Sequence, residues 1–349
     1  MKKVAVLFGG RSSEYEVSLK SAAAVLKVLN LQKYEIIRIG ITKEGEWYHF
    51  SGDNQLIEHD EWQQEAVCRK IQPVIGESWK GFWLIEEGQK LPVDILFPVM
   101  HGEYVEDGCL QGLFTWMDIP YVGCNTAVSA LCMDKGLTHR FANSIGIETT
   151  PSIQCRIDEA GSKAVADFIE KNDFPMFIKP LRGGSSKGIR KITNWSELQQ
   201  GIKEIEKMDT CFTLEKEVVG FEVGCGILGN QELVIGEIDE IELQTDFFDY
   251  TEKYQLLSST IHLPARISAD LKREICYQAE RLYRLLGCSG LARIDFFITC
   301  QGAIFLNEIN TMPGFTENSR YPNMLKKKGF SYSEIIEELL RLAEEEKGW

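Results

Sequence analysis

The sequence predicts an α/β fold that opens with a parallel-sheet domain, and three observations carry that reading. Short apolar runs alternate with a helically spaced segment through the first third: residues 4–8, then Leu19, Ala22, Val25, Leu26 and Leu29, then residues 36–41 and 93–99. Strands alternating with helices build parallel sheets. A Gly9-Gly10 turn follows the first run, where a strand would hand over to a helix. Near the far end, Leu291–Thr299 and residues 303–310 are apolar runs separated by Gln301-Gly302, a two-residue hairpin signal.

The elements follow in order. Residues 4–8 read as a strand, 9–14 as a turn, 18–29 as a helix, and 36–41 and 93–99 as buried strands. Ligands on such sheets bind beyond the C-terminal ends of strands, where loops 9–14 and 101–107 both fall. A second unit is expected over 125–210, with a helix at 133–145, a strand at 174–180 and its hairpin partner at 189–192. The third unit, 211–349, holds a long helix near 270–286, the hairpin, and a last helix opened by the capping box Ser331-x-x-Glu334. Residues 1–124 form the first unit. Between Glu242 and His262 an aromatic, polar stretch without periodicity reads as an active-site loop.

Composition narrows the function. The chain has 349 residues, 44% hydrophobic and 26% charged, which suits a globular enzyme of two or three domains. Its net charge of −14 argues against a general nucleic-acid binder, whose surface must attract phosphates. No apolar run approaches the roughly 20 residues of a membrane span. Residues 4–8 are too short for a secretory signal. Ten cysteines show no CxxC pair and no metal-like spacing, which fits a reducing cytoplasm.

The hairpin carries the chemistry. Pairing outward from Gln301-Gly302 sets Asp295 opposite Glu308 and Arg293 opposite Asn310, all on one face. Opposed residues sit roughly 5 Å apart, and like charges there are destabilising. Two acids and an amide converging in this way call for a cation between them. Hard ions such as Mg2+ take oxygen ligands and usually hold substrate phosphates as well. The alternative is a solvated hairpin, but Ile294, Phe296, Phe297, Ile304, Phe305 and Leu306 demand a buried face.

Three other segments remain open between two readings each. Residues 181–188, with Gly183, Gly184, Ser185 and Ser186, suit a phosphate nest or an ordinary hairpin turn; the Walker spacing is absent. Lys179 just before them favours phosphate. Residues 214–222 suit an adenine edge with a ribose-binding carboxylate, or a charged edge strand. His101-Gly102 with Glu106-Asp107 is a substrate loop or a structural strand end. His49, His59, His139 and His262 show no constellation.

In this order the motifs resemble a family. They are Gly9-Gly10-x-Ser12-x-Glu14-x-Glu16-Val17-Ser18, His101-Gly-x-x-x-Glu106-Asp107-Gly108, Met133-Asp134-Lys135, Lys179-Pro180 and Gly184-Ser185-Ser186. Lys253-Tyr254 and Asn307-Glu308-x-Asn310-Thr311-x-Pro313-Gly314 complete the set. Together they resemble the D-alanine–D-alanine ligases over essentially the whole chain. The resemblance implies an ATP-grasp fold with two α+β domains clamping ATP, a cytoplasmic homodimer, and two Mg2+ ions (Mn2+ substituting) on Asp295, Glu308 and Asn310. It implies phosphate contacts from Lys135 and Lys179, and nucleotide contacts from Ser185, Glu215, Lys216, Val218 and Glu222.

Glu14 would hold the first D-alanine's ammonium with help from His101. Arg293 and the Gly314 N–H would form the oxyanion site, and Ser185, Tyr254 and Glu14 a hydrogen-bonded triad under the loop. The run Ser319-Arg320-Tyr321-Pro322, with Asp239, Phe248 and Lys253, is most similar to the VanG-type D-alanine–D-serine ligases of vancomycin resistance. An Arg oriented by an acid can favour a hydroxyl-bearing second substrate, because a site built for a hydroxyl rejects the analogue lacking it. D-serine is therefore expected, with D-alanine as the alternative. A dinucleotide oxidoreductase is disfavoured, since the first loop lacks GxGxxG.

Overall fold

The structure is a computed structural model that describes residues 1–64, 66–184, 187–243 and 259–346. The first sheet has seven strands: β1 (Lys2–Gly9), β2 (Tyr34–Ile41), β3 (Trp47–Phe50), β4 (Cys68–Pro73), β5 (Gly81–Leu84), β6 (Gln89–Pro92) and β7 (Ile95–Pro98). Their order is β6-β5-β4-β3-β2-β1-β7. Helices α1 (Tyr15–Val28), α2 (Asn54–Glu58) and α3 (Cys109–Trp116) accompany it. Only β7, β1 and β2 run parallel; β2 through β6 continue as an antiparallel meander. The expected parallel sheet is thus the inner half of a mixed one. β1 lies between two parallel neighbours, so both its faces are buried. Val4, Val6 and Phe8 enter one core, Ala5 and Leu7 the other.

Helices α4 (Thr126–Met133) and α5 (Lys135–Ser144) replace the single helix expected at 133–145. Asp134 between them has an extended backbone, and its carboxylate accepts from Leu137 N at 2.8 Å, capping the second helix. The second sheet, order β10-β9-β11-β8, is built from β8 (Ser152–Arg156), β9 (Met176–Pro180), β10 (Arg190–Ile192) and β11 (Cys211–Lys216). Helices α6 (Lys163–Asn172) and α7 (Trp195–Ile205) cover one face, burying Ile178, Phe212 and Leu214. Lys179, Thr213 and Glu215 alternate with those residues and face the other way.

The third sheet comprises β12 (Gly220–Gly229), β13 (Leu233–Ile235), β14 (Asp239–Leu243), β15 (Ser259–His262), β16 (Leu291–Thr299) and β17 (Ile304–Asn310). Its order is β15-β14-β12-β16-β17, with β13 on β12. Helix α8 (Ala269–Leu286) packs on one face together with α4 and α5, through Ile275, Ala279, Leu282, Val128 and Ala142. Helix α9 (Arg320–Lys326) crosses the other face, and α10 (Tyr332–Glu345) returns to the first sheet beside α1. The cores therefore cut across chain order. Residues 126–144 share a core with 223–309, and the central core runs from Cys155 to Leu214.

Candidate active site

The hairpin β16–β17 sets Asp295 opposite Glu308 and Arg293 opposite Asn310, the pairs that a two-residue loop implies. It reaches them by another route. The loop spans three residues, 300–302, with Gly302 at φ 83° and Thr299 N donating to Ala303 O at 3.0 Å. Pairing then runs one residue out of step, Phe296 against Leu306, until a bulge between Asp295 and Phe296 absorbs Asn307 and restores the register. The Asn307 carbonyl is bound by His139 Nε2 at 3.0 Å.

Directly paired residues share a face, so one rung runs across four strands: Asp239, Gly224, Asp295, Glu308. Asp295 is buried and accepts from Arg293 Nη2 at 2.7 Å and from Asn310 Nδ2 at 2.9 Å. Asp239 is equally buried and receives a two-pronged fork from Arg320, with Nε and Nη2 each at 2.7 Å. Arg320 Nη1 also donates to Glu222 at 3.0 Å, and Nη2 stands 3.7 Å from Asp295. Such forks are among the stronger polar contacts and fix orientation. Burial works against the Arg320 charge, but Asp239 and Asp295 more than offset it and raise its pKa.

On the second sheet, Lys179 Nζ contacts Glu215 Oε2 at 2.6 Å, and both side chains are buried. Glu215 Oε1 and Thr213 Oγ1 are buried without a hydrogen-bond partner among the described protein atoms. A buried acceptor left unmade is costly, so this face suits a ligand that brings donors. Lys135 Nζ donates to Gly183 O at 2.6 Å, at the root of the Gly-rich loop. Lys216 is exposed at the end of β11, and Val218 lies in the link to β12.

Loops from the first two units meet at Glu14, itself buried. A methyl group built on Gly102 would stand 3.4 Å from Glu14 Oε1, and one on Gly184 would stand 2.9 Å away. His101 donates from Nδ1 to Met312 O at 2.9 Å, and its Nε2 lies 3.3 Å from Ser21 Oγ. Burial pushes the His101 pKa down. Glu106 accepts from Gly102 N at 2.7 Å and Met312 N at 3.2 Å, so the Met312 peptide is gripped at both ends. Burial, then the charge of Glu14, pushes Glu106 up to about 8. Met312 leads to Gly314, where an added methyl would stand 3.4 Å from Ser319 Oγ. Ser319 in turn accepts from Thr316 N at 3.0 Å.

Ser185, Phe248, Lys253 and Tyr254 lie outside the described residues. Glu106 and Gly224 are contributions that motif reading left without a role. The His101–Asp107 spacing flagged the first; nothing local flags the second.

A donor set of two carboxylates and an amide fits a hard, oxygen-preferring divalent ion. Among the described residues no three His, Cys, Asp or Glu side chains are grouped as a metal site, and Asp295 is engaged by Arg293 and Asn310. Three sheets whose loops converge on lysines, acids and a Gly-rich turn define an ATP-grasp ligase. A family model described as "D-ala D-ala ligase N-terminus" matches residues 3–124, and "D-ala D-ala ligase C-terminus" matches 141–341. The chain belongs to the D-alanine–D-alanine ligase family.

It is 48% identical to the vancomycin C-type resistance protein VanC1 of Enterococcus gallinarum, over 99% of this chain and 100% of that one. It is 40% identical to a D-alanine–D-alanine ligase of Thermoanaerobacter sp. strain X514, over 99% and 97%. The crystal structure of VanG D-Ala:D-Ser ligase from Enterococcus faecalis superposes with a TM-score of 0.90 at 46% identity, covering 98% and 99%.

Proposed function

We propose that this chain is an ATP-dependent, ADP-forming ligase that joins D-alanine to D-serine through an acyl phosphate. The observation that carries the choice of D-serine is the buried Arg320 fork on Asp239, 3.7 Å from Asp295. Three of its N–H groups go to Asp239 and Glu222; of the two left, the one on Nη2 lies beside Asp295 and the one on Nη1 is the donor that a substrate hydroxyl would meet. A buried donor left unpaired by D-alanine would penalise that substrate. The product would be a cell-wall precursor dipeptide serving vancomycin resistance, a reading supported by the likeness to VanC1.

The first D-alanine binds with its ammonium on Glu14, and His101, kept neutral by burial, supports that loop. Its carboxylate attacks the γ-phosphate of ATP, forming acyl phosphate and ADP. Lys135 and Lys179 neutralise phosphate charge, and Glu215 Oε1 takes a donor from the adenine edge. Asp295, Glu308 and Asn310 would hold Mg2+, which when bound neutralises charge on the transferring phosphate. The amine of D-serine then attacks the acyl carbon. Arg293 and the Gly314 N–H receive the oxyanion that develops, and phosphate leaves. The triad expected of Glu14, Ser185 and Tyr254 would serve to keep water from the acyl phosphate; Ser185, Phe248, Lys253 and Tyr254 lie outside the described residues.

Among the described residues no helix is long and apolar enough to cross a membrane, and the reading includes a cytoplasmic homodimer. Phosphate release is measured with D-alanine alone, then with D-serine added. A higher kcat/KM for D-serine as second substrate is expected. A higher value for D-alanine would make the chain an ordinary D-alanine–D-alanine ligase.

A further inference from the structure

Gly224 occupies the middle of the rung between Asp239 and Asp295. Adjacent strands lie about 4.8 Å apart, so the backbones of the two acids are separated by about 10 Å, roughly the reach of a guanidinium with its two carboxylates. Arg320 fills that interval by lying across β12. A methyl group built on Gly224 would stand 2.5 Å from Arg320 Nη2, 2.8 Å from Asp239 Oδ1 and 2.9 Å from Asp295 Oδ1.

None of these atoms can yield cheaply. Asp239 Oδ1 is bound by Gly224 N at 3.0 Å as well as by Arg320. Asp295 is held by Arg293 and Asn310. A glycine inside a strand weakens it and marks a close approach from outside, and here the approaching group is the guanidinium. Two residues along, a methyl group built on Gly226 would stand 3.0 Å from Tyr321 and Met324, so the same strip of bare backbone seats Arg320, Tyr321 and Met324 of α9.

We propose that Gly224 is a positioning residue for substrate choice: its missing side chain is the space that lets Arg320 reach between Asp239 and Asp295 and face the second substrate. The proposal rests on the D-serine reading of Arg320. Any side chain at 224 must expel the guanidinium from its fork or push α9 off the sheet, and either removes the hydroxyl-facing donor. Glu222 and Asp295 touch Arg320 as well, so any loss of nucleotide or metal binding lowers the rate with both second substrates, and the ratio between them is the readout.

The test is a cycle of Gly224→Ala and Arg320→Leu, reading kcat/KM for D-serine and D-alanine as second substrates in each variant. Gly224→Ala is expected to lower the D-serine to D-alanine ratio of kcat/KM at least tenfold, both values being read at saturating ATP and Mg2+. In the Arg320→Leu background the same change is expected to leave the ratio where Arg320→Leu alone puts it. A Gly224→Ala enzyme with the parental ratio, or an equal shift in both backgrounds, overturns the proposal while leaving the Arg320 reading intact. An Arg320→Leu enzyme that keeps its D-serine preference overturns that reading itself. Should Gly224→Ala be insoluble, recovery of folded protein on adding Arg320→Leu supports the space argument, and continued insolubility overturns it.

Discussion

A buried acid at position 106 makes the protein's stability depend on pH in the opposite sense to a salt-bridged one. Burial and the neighbouring Glu14 lift Glu106 from 4.5 to about 8, against two backbone N–H donors that favour the carboxylate. The folded chain thus retains a proton that the unfolded chain has released. Its contribution is complete below about pH 4.5 and declines as pH rises towards 8. Glu106→Gln keeps a neutral group and removes that decline. Melting temperature of the ligand-free enzyme between pH 5 and 9 should fall less steeply for the variant; parallel curves would mean Glu106 ionises normally. Residues differ in how far sequence exposes them. Asp295 and Glu308 were legible because a hairpin brings neighbours in sequence together in space. Asp239 and Arg320, from distant segments, were legible only through the family resemblance, and the bare Gly224 between them gives no signal until the guanidinium above it is seen.

Elements with long amphipathic periods read well. The helix at 269–286 begins on a Ser268 cap and ends on Gly287 at φ 76°, as its pattern implies. Strands β3 to β6 did not, because each has four to six residues and none buries more than two of them. The split at Asp134 escaped because one capping aspartate inside a helical period carries little weight against it. The hairpin is instructive in another way: a loop one residue longer and a bulge of one residue cancel, so the acids align although the turn differs. Capping gives a direct test at this scale. Ser331 Oγ accepts from Glu334 N at 3.2 Å, and Glu334 accepts from Ser331 N at 2.7 Å. Ser331→Ala should cost about 1 kcal/mol. Because α10 buries Ile335, Leu339 and Leu340 in the first sheet's core, that loss should appear in global unfolding by denaturant, with an unchanged m-value. A loss confined to local fraying at the C-terminus would show that α10 is not part of the cooperative unit.

At the scale of the molecule, the proposed nucleotide site joins the Lys179–Glu215 face of the second sheet to the third sheet, so nucleotide should tie the two together. A ligand at 100 times its Kd stabilises the folded state by about 2.7 kcal/mol, a shift of a few degrees in melting temperature for a chain this large. The orphaned Glu215 Oε1 adds base selectivity to that expectation. An adenine offers an exocyclic N–H2 to it, whereas guanine offers a carbonyl oxygen at the same ring position, which a carboxylate repels. A non-hydrolysable ATP analogue with Mg2+ should therefore raise the melting temperature by several degrees, and the GTP counterpart by much less. Glu215→Gln, which can turn its carbonyl oxygen to adenine or its amide N–H to guanine, should narrow the gap between the two nucleotides. Its contact with Lys179 at 2.6 Å weakens to a neutral acceptor, so the variant's own starting temperature serves as its reference. Equal stabilisation by ATP and GTP analogues in the parent enzyme would show that Glu215 does not face the base, and the adenine edge would then have to be sought along residues 216–218.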